Sequence, residues 1–151
     1  MNPPIPPIGP LTPAFREQGK VDADHLKLLA IFHFVGAGFA VLGLLLLAGH
    51  YCVMHSVFTH PEVWHTEKNP PPAVVFDILK WVYVLGALWF LLSLVLNLIS
   101  GLCLATRKGR MFSLVVAGFN CVHVPLGTVL GVFTMIVLLR DSVRDLYDGR
   151  Q

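Results

Sequence analysis

The stretch between Arg110 and Arg140 constrains the fold of this chain most, because it contains no Asp, Glu, Lys or Arg. Pro125 and Gly127 lie near its middle, and both residues disfavour a continuous helix. A helix-breaking centre inside an apolar stretch is costly in lipid unless protein or water satisfies the backbone groups that it frees. We therefore expect a turn with its own supporting contacts at this place, inside a membrane.

Two further stretches, residues 28–61 and 81–106, also lack formal charge. The chain has 151 residues, of which 55% are hydrophobic and 13% charged, and its mean hydropathy is +0.69. Soluble domains have about 25% charged residues, and an apolar stretch of about 18 residues or more is typical of a spanning helix. We predict an all-α integral membrane helical bundle with two long spans, about Leu26–Met54 and Val74–Thr106, plus a C-terminal pair of short helices that form a Pro-Gly hairpin.

The hairpin follows from the length of the third apolar stretch. One helix over residues 111–139 would measure about 43 Å, whereas the hydrocarbon core is about 30 Å thick. A reversal at Pro125-Leu126-Gly127 gives two short arms instead, and proline and glycine suit such a turn. We expect Thr128 to cap the second arm, and Gly127 with Gly131 to form a close-packing face. A single kinked helix is the alternative.

Two asparagines are predicted to have structural roles within the apolar stretches. Asn97 shares a helical face with Ser93 and Gly101, because these residues recur every four positions. An amide in lipid is expected to bond across to another helix. Asn120 belongs to the polar centre of the third stretch. We interpret Asn97 as a contact that holds helices together, and not as a transport site, and we assign Asn120 to the structural motif around Pro125 and Gly127.

Four histidines follow one another at intervals of five residues: His50, His55, His60 and His65. Imidazole is the commonest protein ligand for metals. However, five residues advance a helix by about 140°, so the four side chains do not share a face, and the spacing matches no zinc pattern. Residues 50–72 are therefore predicted to form a polar interfacial loop, and these histidines are only weak candidates for metal ligands.

His33 and His123 are weak candidates for a cofactor site, because a histidine within an apolar stretch can ligate a metal or a haem. A histidine bonded to a neighbouring helix is the simpler interpretation of His33. No cofactor is predicted. Three cysteines without a C-x-x-C pattern also indicate no disulfide framework.

The basic residues predict the topology. They lie before the first span, between the second and third apolar stretches, and in the C-terminal tail, which are the positions expected on the cytoplasmic side. We expect a proline-rich cytoplasmic tail over residues 1–21, a four-helix transmembrane domain over 22–140, and a cytoplasmic tail over 141–151 that continues the last helix along the membrane surface. Asp22 or Asp24 is expected to cap the first helix.

Two strings of residues carry a resemblance. They are D-x-D-H-L-K-L-L-A-I-F-H-F from Asp22, and the stretch from Phe112 to Arg140 with its P-x-G-T-x-L-G-x-x-T motif. Both resemble a group of small bacterial membrane proteins with four predicted spans. The resemblance implies an inner-membrane protein, and it implies no activity and no functional residue.

The function expected from the sequence is non-enzymatic. The chain has no Ser-His-Asp arrangement, no H-E-x-x-H and no Gly-rich phosphate loop, and a net charge of +2 is too small to indicate nucleic acid. We predict an accessory or structural subunit of a membrane complex or homo-oligomer, whose partners are the lipid bilayer and either other membrane subunits or copies of itself. The alternatives are a metal- or haem-binding membrane protein and a small channel or transporter.

Overall fold

The computed structural model describes residues 13–60, 73–123 and 125–148. Within these ranges the chain forms helices and no strand, which confirms the all-α class for the described residues. The helices are α1 (Pro13–Thr59), α2 (Ala73–Thr106), α3 (Arg110–Asn120), α4 (Leu126–Leu138) and α5 (Asp141–Asp148).

Two of the described helices are long and apolar enough to cross a membrane. By length and composition the candidate spans are Glu17–Thr59 in α1 and Val74–Thr106 in α2, each with a mean hydropathy of 2.3. A third candidate arises only if α4 and α5, which meet at an angle of 77°, are taken together. The second span was thus predicted within one residue, whereas α1 extends beyond the predicted first span at both ends.

The prediction of where α1 begins and ends was wrong. The helix begins at Pro13, so Asp22 and Asp24 lie inside it and do not cap it. It then continues to Thr59 through two of the histidines assigned to the interfacial loop. Residues 51–60 contain neither glycine nor proline, so nothing interrupts the helical hydrogen bonds before Pro61. The predicted loop from residue 61 to 72 lies outside the described residues.

The chain divides into two compact units. The first unit contains Met1–Phe32 and Ser100–Gln151, and the second contains His33–Ile99. The core of the first unit joins residues from α1, α2, α4 and α5: Leu26, Leu29, Ala30, Leu104, Val137, Leu138, Val143 and Leu146.

A short turn joins α2 to α3 within the first unit. Arg107 has a φ of 53° and Gly109 a φ of 66°, so the backbone of both residues is in the left-handed region. The Lys108 N–H donates to the Cys103 carbonyl at 2.9 Å and the Arg107 N–H to the Leu104 carbonyl at 3.3 Å. This pair of bonds is the Schellman arrangement, which satisfies carbonyls at the end of a helix.

The C-terminal helix does not continue α4 as predicted. α4 ends at Leu138, and α5 begins at Asp141 after a sharp bend. Val143 and Leu146, which recur at helical spacing, are buried in the core of the first unit. The apolar face of α5 is therefore covered by protein within this unit.

The second unit packs α1 against α2 through small residues on each helix. A Cβ on Gly43 would lie under 3.0 Å from the ring of Phe90, and a Cβ on Gly86 would lie 3.3 Å from Leu47. Each glycine thus receives a large side chain from the other helix. Such close approach is a common way for helices to associate in lipid, where the hydrophobic effect does not drive them together.

Candidate functional site

The backbones of α3 and α4 approach each other closely in the first unit. A Cβ on Gly131 would lie under 3.0 Å from the Ala117 carbonyl oxygen and from the Cys121 sulfur. A Cβ on Gly127 would lie under 3.0 Å from the Asn120 carbonyl oxygen and from His123 Cβ. Real Cβ atoms essentially never make such contacts, so both positions need glycine for space. This is the G-x-x-x-G face predicted from the sequence.

The turn between α3 and α4 lies earlier than predicted. α3 ends at Asn120 and α4 begins at Leu126 with Pro125 as its N-cap, so the turn comes before Leu126 and Gly127 is already helical. Thr128 does not cap α4, because no side-chain cap bond is present. Instead its hydroxyl donates to the Cys121 carbonyl at 2.9 Å.

Backbone hydrogen bonds complete the support of this turn. The Thr128 N–H donates to the His123 carbonyl at 3.2 Å, and the His123 N–H donates to the Asn120 carbonyl at 2.9 Å. Thr128 therefore binds the turn through both its side chain and its main chain. These bonds satisfy polar groups that a break in a helix would otherwise leave exposed, which is costly away from water.

A buried carboxylate in α1 was missed by the sequence reasoning. Asp22 is fully buried, and its Oδ1 lies 3.5 Å from Nη1 of Arg140, whose side chain is 42% exposed. The other oxygen, Oδ2, has no hydrogen-bond partner in the described part of the chain. The two residues are 118 positions apart, so no local pattern could have indicated the pair. This ion pair links the N-terminal part of α1 to Arg140, which lies just after the end of α4.

Two further side chains act near the C-terminal helix. Arg110 Nε donates to the Leu138 carbonyl at 2.8 Å and so satisfies a carbonyl at the end of α4. Burial raises the pKa of Tyr147 to about 12, with Cys103 adding to the increase and Arg110 and Arg107 opposing it. The Tyr147 hydroxyl has no hydrogen-bond partner among the described residues. It therefore favours the neutral form and acts as a packed ring.

The polar face predicted for α2 is buried. Ser93 is 6% exposed and Asn97 is 3% exposed. Asn97 Nδ2 donates to the Ser93 carbonyl at 2.9 Å, and a Cβ on Gly36 would lie 3.4 Å from Asn97 Oδ1. The amide therefore lies against the backbone of α1 in the second unit, where it can hold two helices together.

The interfacial histidines have separate partners. The Tyr83 hydroxyl lies 2.7 Å from His50 Nδ1, which joins α1 to α2. His60 Nδ1 lies 2.7 Å from the carbonyl of Ser56, one turn back along the chain. His55 stacks at an angle on a tyrosine ring, and His65 lies outside the described residues. The described histidines of this group therefore have different partners, and these contacts do not bring their rings together.

The two histidines considered for a cofactor belong to different units. His33 is fully buried in the second unit. His123 lies in the turn of the first unit, where its ring meets Phe119 edge-on with centroids 5.3 Å apart. Across the described ranges, no group of three or more His, Cys, Asp or Glu side chains could hold a metal ion.

An aromatic pocket lies between the ends of α1 and α2 in the second unit. It has a volume of about 320 Å³, and Tyr51, Phe58, Phe76, Tyr83 and Lys80 contribute to its lining. Phe58 and Phe76 meet edge-on with centroids 4.7 Å apart, as do Tyr51 and Tyr83 at 5.2 Å. Each helix contributes two rings seven residues apart, which places both on one helical face. That spacing is the signal from which the pocket could have been predicted.

Some features of the structure were expected from the sequence, and others were not. The glycine face and the buried polar residues lie where close helix packing requires them, whereas the buried pair, the C-terminal contacts and the pocket were not anticipated. The resemblance to small bacterial membrane proteins stays a prediction. No protein-family model matches the chain, and neither a curated protein nor a solved structure matches it.

Proposed function

We propose that this protein is a non-enzymatic, multi-pass protein of the bacterial inner membrane that serves as a structural or accessory subunit. It assembles with other membrane proteins or with copies of itself. The observation that supports this best is the poor coverage of its apolar helices. Only 28% of the apolar window of the first candidate span and 11% of that of the second are buried within the chain. Such surfaces need lipid or other helices against them.

The Pro-Gly hairpin is part of this proposal. At 1.5 Å per residue, α3 and α4 measure about 16 and 20 Å, which is short of a hydrocarbon core of about 30 Å. They enter the membrane from one side and return to it. The glycine contacts and the double bonding of Thr128 support this arrangement, because they cover backbone groups that lipid cannot satisfy. Both termini then lie in the cytoplasm, as the basic residues favour.

Topology is tested by reporter fusions. A reporter fused before Met1 and one fused after Gln151 should both report the cytoplasm. A reporter inserted within residues 61–72, between the two long helices, should report the opposite side. Termini on opposite sides of the membrane would refute the hairpin and would support a single kinked span over residues 111–139.

Assembly is tested by the mass of the particle purified in mild detergent. We expect the full chain to be recovered in a stoichiometric complex larger than one chain. Tryptophan substitutions along the exposed side of α2, at Leu85, Leu88 and Leu92, should identify one face on which added bulk dissociates that complex. A particle that contains one chain alone, at any protein concentration, would refute the accessory-subunit function. A complex that no substitution affects would exclude α2 as its interface.

A further inference from the structure

The aromatic pocket in the second unit has features of a binding site that the accessory function does not require. It lies at the ends of both candidate spans, since Thr59 is the last residue of α1 and Phe76 is within the first turn and a half of α2. Its volume of about 320 Å³ is at the lower end of the range for ligand pockets, about 300–1,000 Å³. It can therefore enclose part of a ligand while the rest extends outside.

The lining is mostly apolar and aromatic, with the His55 imidazole, the Thr59 hydroxyl and the Lys80 ammonium among its polar groups. Phe58, Phe76 and Met54 are half-buried and form the inner wall. Lys80 is exposed, and its ammonium group makes no ion pair with any described residue. Asp77, three residues earlier, is also exposed and is not paired with it at salt-bridge distance. The pocket thus combines a largely apolar wall with one positive charge that has no ion-pair partner among the described residues.

The packing of the rings excludes a cation cage. In each aromatic pair the two rings already touch, with centroids 4.7 Å apart for Phe58 and Phe76 and 5.2 Å apart for Tyr51 and Tyr83. An ammonium group held by cation–π attraction needs open ring faces around it, and Lys80 would repel such a group. The Tyr83 hydroxyl already bonds His50. The wall therefore suits an apolar chain, and the Lys80 ammonium group suits an anion.

We propose that this pocket binds an anionic phospholipid, with its phosphate paired to Lys80 and the first part of an acyl chain against Phe58, Phe76 and Met54. A lysine beside an aromatic belt at the boundary of a span is well placed for a headgroup. The lipid chain leaves the open side of the pocket and continues along the helices. This inference rests on the proposed membrane location but not on any protein partner.

The test counts lipids that remain bound to the purified full chain. The chain in mild detergent is mixed with phosphatidylglycerol, with phosphatidylcholine of the same acyl chains, or with inorganic phosphate, and is examined by native mass spectrometry. We expect one phosphatidylglycerol to bind about fivefold more tightly than phosphatidylcholine, the difference that one lysine near a headgroup supplies. Inorganic phosphate should not displace it.

Variants separate the site from general lipid association. Lys80→Gln should lose the preference for phosphatidylglycerol, and Lys80→Arg should keep it. Lys27→Gln, which removes an exposed lysine of the first unit paired with Asp24, should bind as the parent does. Helix content by circular dichroism confirms that each variant is folded.

Three outcomes would overturn the proposal: Lys80→Gln with unchanged preference, equal binding of both lipids by the parent, or displacement of the lipid by inorganic phosphate. The last would identify a phosphate site without lipid recognition. Failure of the proposed function has a different signature, because a chain that is extracted from cells without detergent would refute the membrane location itself.

Discussion

Gly131→Ala is the smallest change that tests the close approach of α3 and α4. The added methyl group would lie under 3.0 Å from the Ala117 carbonyl oxygen and the Cys121 sulfur, and 3.0 Å from the Cys121 backbone nitrogen. Ordinary contacts of a Cβ begin near 3.4 Å. A sulfur at the end of a side chain can move, but the carbonyl and the nitrogen are backbone. The two helices must therefore separate to admit one methyl group.

The magnitude follows from two opposing effects. In a helix interior, alanine is favoured over glycine by about 0.5–1 kcal/mol, because it reduces the backbone entropy lost on folding. Overpacking of a tight contact costs about 1–3 kcal/mol. Separation of the helices also disturbs Val116 and Thr134, which are 1% and 0% exposed. We expect a net destabilisation of about 1–2 kcal/mol.

Gly38→Ala is the matched control. Gly38 is also inside a helix, α1, and a Cβ built on it meets no heavy atom within 4 Å. At this position only the effect on backbone entropy remains, so Gly38→Ala should raise the free energy of unfolding by about 0.5–1 kcal/mol. Unfolding in mixed micelles, titrated with a denaturing detergent and followed by circular dichroism, measures both variants. Relative to the parent, we expect Gly131→Ala to lower the free energy of unfolding and Gly38→Ala to raise it.

Cys121→Ala refines the test. Combined with Gly131→Ala, it removes the sulfur from the clash but leaves the Ala117 carbonyl in place. We expect it to recover only part of the lost stability. If Gly131→Ala is as stabilising as Gly38→Ala, the two short helices do not approach closely. The Pro-Gly hairpin would then fail as an explanation of this stretch.

Three further changes test contacts of the first unit. Thr128→Val should cost about 1–2 kcal/mol of unfolding free energy, because the Cys121 carbonyl loses its hydroxyl donor. Arg140→Ala should cost about 1–3 kcal/mol, because Asp22 would be left buried without its cation. Tyr147→Phe should change stability little at pH 7, since no described group bonds the hydroxyl. In the parent, the pKa of Tyr147 is about 12 in the folded state and about 10 in the unfolded state. The neutral form of Tyr147 therefore contributes stability that is lost as the pH rises between these two values. Tyr147→Phe should remove this loss of stability.

Each of these changes has a control in the same chain. Thr128→Ser keeps the donor and should restore most of the stability that valine loses. Arg144→Ala removes an exposed arginine of the same tail and should cost less than about 0.5 kcal/mol. Tyr83→Phe removes a hydroxyl that bonds His50, so unlike Tyr147→Phe it should destabilise at neutral pH. Equal effects within any of the three pairs would contradict the contact on which that pair depends.

The helices themselves could be predicted because apolar stretches in this chain are long and uncharged. α2 was located within one residue at its start, since three prolines precede it and a basic segment follows it. The end of α1 was placed too early because polarity was used as the sign of a loop. Hydropathy reports where a helix meets lipid, whereas the helix ends only where its hydrogen bonds are interrupted.

The turn was placed a few residues late for a related reason. Pro125 and Gly127 were both assigned to the reversal because each residue is common in turns. In the structure, Pro125 is the N-cap of α4 and precedes its first residue, Leu126, so its missing N–H removes no hydrogen bond within the helix. Gly127 serves close approach to Asn120, and it does not have a positive φ. Proline and glycine can serve either in a turn or at a helix start or close helix contact. Only the position of the neighbouring helix shows which of these roles a given residue has.

The contacts that unite the first unit are the ones that no local pattern could indicate. From its local sequence, Asp22 would be assigned as a helix cap, and Arg140 would be assigned as a cytoplasmic charge that indicates the topology. Together they form an ion pair in the same unit as the buried core that contains both Leu26 and Leu138. The segment that follows Asp22 and the segment from Phe112 to Arg140 supply five of the eight buried residues of this core. For the first unit to form, the segment around Asp22 and the segment before and after Arg140 must therefore match each other in both shape and charge.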